Sequence, residues 1–139
     1  MILLDTNVVS ALMRRTPESE VVDWLDGQPS ESLWTTSITV FEVQTGIELL
    51  EPGRRRRQLE DAFAELLGQD LAGRVQAFDE RAALAAGGIA ASRRHAGRTL
   101  EIRDLQIAGI ATVRRATLAT RNARHFEDLG IPLVDPWAG

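Results

Sequence analysis

Short runs of strand-forming residues alternate with stretches of helical apolar spacing along this chain. That alternation narrows its possible folds more than any other feature. Ile2-Leu3-Leu4 is an apolar run short enough for a buried strand, and Leu33-Trp34-Thr35-Thr36-Ser37 is rich in β-formers. Val75 to Phe78, Thr117 to Thr120 and Pro132 to Val134 read as three further strands. Between them lie expected helices: one after Asp5-Thr6-Asn7 through Met13, one from Pro17 to Gly27, one from Thr39 to Leu50, and one from Arg54 to Leu67. A long alanine-rich helix follows, capped by Asp79 and reaching His95 with Gly97 past its end, and a last one begins near Arg103. Pro17 suits a first helical turn, and Pro52-Gly53 separates two helices. Strands alternating with helices imply a parallel sheet covered on both faces, so the expected fold is a single three-layer α/β/α domain spanning 1–139 around a small central parallel sheet.

Size agrees with one domain: 139 residues bury about 68–70% of the surface the unfolded chain exposes. No disulfide is needed, and the absence of cysteine excludes thiolate catalysis and thiolate metal sites. No apolar run approaches the roughly 18 residues that suggest a membrane span, and Asp5 ends the N-terminal apolar run, unlike a signal peptide. A soluble, cytoplasmic protein is expected.

In parallel α/β sheets, ligands sit beyond the carboxyl ends of the strands. Asp5 directly follows the first strand. Glu42 is expected in the first turn of the helix after the second strand, and Asp104 opens the helix leading to the fourth. Asn122 follows that fourth strand in Thr120-Arg121-Asn122. Carboxylates converging on one cleft repel one another unless a cation sits among them. Oxygen donors in a chain with only two histidines favour Mg²⁺ or Mn²⁺, an ion that activates water and stabilises charge on a phosphoryl oxygen. Each residue also has a plainer reading. Asp5 and Asp104 sit where helix caps sit, Glu42 where a carboxylate favours the helix dipole, and Asn122 where a turn former is common. Spacing alone does not bring the four together.

All 16 basic residues are arginine. An aspartate after the first strand also suits a phosphoryl-acceptor phosphatase or a receiver domain, but both steady the phosphorylated aspartate with a lysine. A P-loop ATPase needs one too. The lack of lysine sets all three aside. The net charge of −4 argues against broad coating of nucleic acid, without excluding a local basic patch.

The ordered blocks Ile2-Leu3-Leu4-Asp5-Thr6-Asn7, Ser37 to Val43 around Glu42, Arg103 to Ala108 around Asp104, Thr120-Arg121-Asn122 with Phe126, and Val134-Asp135-Pro136-Trp137 resemble PIN domains, particularly VapC-type toxin ribonucleases. The resemblance spans nearly the whole chain. It implies a PIN-type α/β/α fold, Mg²⁺- or Mn²⁺-dependent cleavage of RNA, a VapB-type antitoxin as partner, and homodimers within the toxin–antitoxin complex. By position it makes Asp5, Glu42 and Asp104 metal ligands and, with Asn122, the catalytic set. Many PIN domains carry Asp at the fourth position. Asn122 removes one negative charge, so a second ion is expected to bind weakly or not at all. Thr6 and Thr120 match hydroxyl positions that steady the carboxylates. A rival role is that of a weakly catalytic partner that binds an antitoxin and contributes to transcriptional autorepression on DNA.

Other polar groups receive plainer readings. Arg54-Arg55-Arg56-Arg57 opens a helix against its dipole, which suggests an RNA or partner contact, though a solvated face accounts for it more simply. His95 and His125 are assigned structural roles, and Trp24, Trp34 and Trp137 are read as core or interface anchors. Arg121 and Arg124 flank Asn122, where phosphate contact and plain solvation fit equally well.

Overall fold

The structure, a computed structural model, describes residues 1–138. Its strands are β1 (Ile2–Leu4), β2 (Leu33–Thr36), β3 (Val75–Gln76), β4 (Thr117–Ala119) and β5 (Leu133–Val134). Its helices are α1 (Thr6–Leu12), α2 (Ser19–Asp26), α3 (Ser37–Glu48), α4 (Arg54–Glu65), α5 (Glu80–His95) and α6 (Ile102–Arg114). The strands form one parallel sheet in the order β3-β2-β1-β4-β5, as the alternating pattern implied. In register, Leu3 lies opposite Trp34 on one side and Leu118 on the other.

Strand order tells where the site must be. The chain moves outward from β1 through β2 to β3, then returns to lay β4 and β5 on the other side of β1. Order reverses between β1 and β4, and a crevice opens at the carboxyl ends of strands at such a point. Asp5 and Thr120 are the residues that emerge there, and the Asp5 amide donates to the Ala119 carbonyl at 2.9 Å.

Side chains alternate across a strand. Leu4 therefore joins one core with Val8, Val9, Val43, Ile47 and Phe63, beneath α1 to α4. Its neighbour Leu3 joins the opposite core with Ile107, Ala108, Ile110, Leu118 and Phe126, beneath α5 and α6. Helices α5 and α6 approach so closely that a Cβ on Gly109 would lie 2.4 Å from the Ala82 carbonyl oxygen. Trp24 and Trp137 pack on the first core and Trp34 on the second.

Several boundaries depart from the sequence reading. Pro17 stands outside α2, which begins at Ser19 after Glu18, because nothing forces a proline into the first turn when the residues after it suffice. Helix α3 begins at Ser37 rather than Thr39, since the Thr36 hydroxyl accepts the Thr39 amide at 3.1 Å and caps it early. Glu42 consequently lies in the second turn, and the helix dipole does not account for it. Helix α4 closes in a wider π turn, Leu66–Asp70, that keeps Leu66 and Leu71 buried. Strand β3 stops at Gln76, because the Phe78 amide leaves the ladder to donate to the Ser37 hydroxyl at 3.0 Å.

Candidate functional site

Asp5 caps α1, and its carboxylate is buried, 5% exposed. Its Oδ1 accepts the Thr6 amide at 2.8 Å and its Oδ2 accepts the Thr120 hydroxyl at 2.7 Å. Thr120 Oγ1 in turn accepts the Asn122 amide at 3.0 Å. A residue at the end of β1 and one at the end of β4 are thus locked together, and the carboxylate has no freedom to rotate. Capping and a site role are not alternatives for Asp5, because one carboxylate has two oxygens.

Helix α3 brings Glu42 to the same place. The Thr6 hydroxyl donates to Glu42 Oε1 at 2.8 Å and lies 3.2 Å from the Thr39 hydroxyl. Glu42 Oε2 faces Arg103 at 3.5 Å. Asp104 sits in the first turn of α6, but the cap of that helix is Glu101, whose carboxylate accepts the Arg103 and Asp104 amides at 2.9 and 3.4 Å. The capping explanation for Asp104 is thereby removed. Its Oδ2 lies 3.2 Å from His125 Nδ1.

The three carboxylates feel one another. Burial pushes the Asp5 pKa up from its ordinary 3.8, and the charges of Asp104 and Glu42 push it further, against the two hydrogen bonds that favour its ionised form. Burial likewise raises Asp104, opposed chiefly by His125. Asn122 joins through its backbone amide; its side chain is exposed and makes no cap hydrogen bond to the short turn Ala123–Phe126, whose His125 amide donates instead to the Asn122 carbonyl at 2.9 Å.

The donor set is one of hard oxygens, and among the described residues the buried Asp5 carboxylate has no ion-pair partner, which suits Mg²⁺ or Mn²⁺. Among the described residues no three acidic or histidine side chains close on one point as a finished cage. Glu42 and Asp104 are instead turned partly onto Arg103 and His125.

Three groups at the site were missed in the sequence. His125 is exposed and paired with Asp104 rather than packed into structure, and Arg103 and Glu101 flank the acids as ion-pair partner and cap. The neighbouring Asp104 was the only available signal for Arg103. The arginine run lies elsewhere: Arg56 joins Glu48 and Glu60 between α3 and α4, while Arg54, Arg55 and Arg57 are exposed. His95 is exposed in the last turn of α5, where a cation favours the dipole.

A parallel sheet with Asp5 at its switch point, and Glu42 and Asp104 near enough to act on it by charge, defines an α/β/α domain with an acidic carboxyl edge. The chain belongs to the PIN-domain family: residues 2–132 match the model of the PIN domain. It is 40% identical over 137 residues to the plasmid stability protein StbB of Pseudomonas syringae pv. tomato, covering 99% of each chain. To the VapC ribonuclease Y4jK of Sinorhizobium fredii it is 34% identical over 137 residues, covering 99% of this chain and 98% of the relative. Among solved structures it resembles a chain of FitAB bound to an IR36 DNA fragment, with a TM-score of 0.89, 34% identity, and coverage of 99% of this chain and 96% of that one.

Proposed function

We propose that this chain is a divalent-metal-dependent endoribonuclease, the toxin of a toxin–antitoxin pair. The observation that supports the reading is that Asp5, held by Thr6 and Thr120 at the β1–β4 switch point, shares Thr6 with Glu42 and lies within the charge of Glu42 and Asp104. Similarity to a VapC ribonuclease supports RNA as the substrate. Asp5, Glu42 and Asp104 would hold Mg²⁺ or Mn²⁺, with Asn122 the weaker fourth member of the catalytic set. When bound, the ion supplies a Lewis acid for a phosphoryl oxygen and lowers the pKa of a water.

The protein's own contribution is placement. Thr120 and Thr6 orient Asp5, and Thr6 also holds one oxygen of Glu42, so a single threonine ties two acids together. Such outer contacts fix how the acids present themselves. Without Asp at 122 the cluster carries three carboxylates, and we assign it one ion.

The partners belong to the same proposal. The FitAB complex is a relative's assembly on DNA, which supports an antitoxin partner and, as a second output, a share in transcriptional repression. In this chain a groove runs from Thr6 and Glu42 past Arg14, Arg55 and Leu59, and offers such a partner a path to the acids. A homodimer would cover Phe41 on α3 and Leu49 just past its end, which stand 61% and 81% exposed. No helix among the described residues is long and apolar enough to cross a membrane, and a cytoplasmic location is proposed with the rest.

The test is cleavage of structured RNA by the free chain with Mn²⁺ or Mg²⁺, beside Asp5→Asn and a chelator control. Cleavage should require the metal and fall by more than about a hundredfold in Asp5→Asn, because losing a ligand costs more than the roughly 10–100-fold lost with a partner that only supports one. Calorimetric titration of the wild type should give one ion. Equal cleavage by wild type and Asp5→Asn in clean preparations would overturn the proposal.

A further inference from the structure

Immediately after β4, a cationic pocket opens beside the carboxylates. Arg121, Asn122, Ala123, Arg124, His125 and Asp135 line it, and its volume is about 500 Å³. It shares a wall with the acidic cluster at two points. His125 Nδ1 lies 3.2 Å from Asp104, and the Asn122 amide donates to Thr120, which itself holds Asp5.

The charges of this pocket are largely unspent. Among the described residues Arg124 has no ion-pair partner, and Arg121 has only a 3.9 Å approach to Glu18. Asp135, the one acid of the lining, accepts the Trp137 amide at 2.9 Å. The base that carries these side chains is rigid. The Arg121 guanidinium lies 4.5 Å from the centre of the Trp137 ring, its amide donates to Asn7 at 3.2 Å, and Phe126 is buried at the end of the turn.

An acidic centre repels a polyanion, so RNA reaches it only if nearby cations hold the strand. Guanidinium forks suit phosphate oxygens, and a pre-positioned fork loses little freedom on binding. Arg103 stands against Glu42 at 3.5 Å, so a further guanidinium borders the acids outside this pocket.

We propose that Arg121 and Arg124 form a phosphate subsite in this pocket. It holds the backbone of a single-stranded RNA segment next to the phosphodiester at the acidic centre. This inference rests on the ribonuclease reading and names where its substrate is held.

The test uses Asp5→Asn protein, which stops turnover, and a short fluorescent single-stranded RNA in chelator. Binding is followed by anisotropy across a salt series. Adding Arg121→Gln with Arg124→Gln should shrink the slope of log affinity against log salt by about 1.4, about 0.7 for each phosphate of a single strand that is no longer neutralised. Removing the same two charges on α4, by Arg54→Gln with Arg57→Gln, should leave the slope unchanged. Lysine at 121 and 124 should restore most of it. In an otherwise wild-type chain the glutamine pair should raise KM with kcat little changed. An unchanged slope, an equal effect from the α4 pair, or no RNA binding by the Asp5→Asn protein overturns the subsite. Wild-type cleavage is measured in parallel: its absence overturns the ribonuclease reading itself, whereas cleavage with an unchanged slope overturns the pocket alone.

Discussion

Asp5 is held in a place that its charge opposes. It is buried and faces two other carboxylates, and its two hydrogen bonds do not fully offset the loss of water around it. The folded chain therefore holds the Asp5 proton more tightly than the unfolded chain, whose value is near 3.8. The Asp5 contribution to stability therefore falls as pH rises through the window above 3.8, and its full cost is present once pH exceeds the raised folded value. In chelator, Asp5→Asn should melt at or above the wild-type temperature at about pH 7, and the advantage should vanish towards about pH 4. A variant less stable than wild type at neutral pH, by thermal melts followed with circular dichroism, would show that the hydrogen bonds to Asp5 outweigh its burial. At this scale the acids were legible because carboxylates stand out at strand ends. Their companions were not: Thr120 meets Asp5 across 115 residues of sequence, and His125 meets Asp104 across 21. Nothing local in a histidine says which acid it will face.

At the scale of elements, capping chemistry decided what apolar spacing left loose. Thr36 started α3 early and moved Glu42 into the second turn, and Glu101 took the cap of α6 and left Asp104 free for the site. The tightest constraint lies between α5 and α6. In an isolated helix, replacing Gly109 with alanine would stabilise by about 1 kcal/mol. Here the added methyl would meet the Ala82 carbonyl oxygen at 2.4 Å and Ala86 Cβ at 2.9 Å. Overpacking of this kind costs about 1–3 kcal/mol, which less the helix gain leaves Gly109→Ala less stable by up to about 2 kcal/mol, read as an earlier urea midpoint at unchanged slope. A gain in stability would mean that α5 shifts away at no cost. Because the glycine looks like an ordinary helix-weakening residue in the sequence, its packing role was not readable there.

Across the whole molecule, two cores share one thin sheet. Leu3 and Leu4 are adjacent in the chain yet belong to opposite cores, so neither face can come apart without disturbing β1. We expect residues 1–138 to unfold as one cooperative unit. Single-tryptophan chains retaining Trp24 on one core or Trp34 on the other should give the same urea midpoint as far-ultraviolet circular dichroism. Separate midpoints would divide the chain into two units and contradict the single domain. The sequence by itself determined the class of fold, because periodicity and strand length are local consequences of burial on one face or two. It also determined which acids were candidates, and the lack of lysine removed the phosphoryl-acceptor chemistries. Only the tertiary structure brought Asp5 and Glu42 to the same threonine, within reach of each other's charge and that of Asp104, and set Arg103 against Glu42 and His125 against Asp104. Convergence depends on strand order. Placing β4 rather than β3 beside β1 is a choice of long-range packing that no local stretch of residues records.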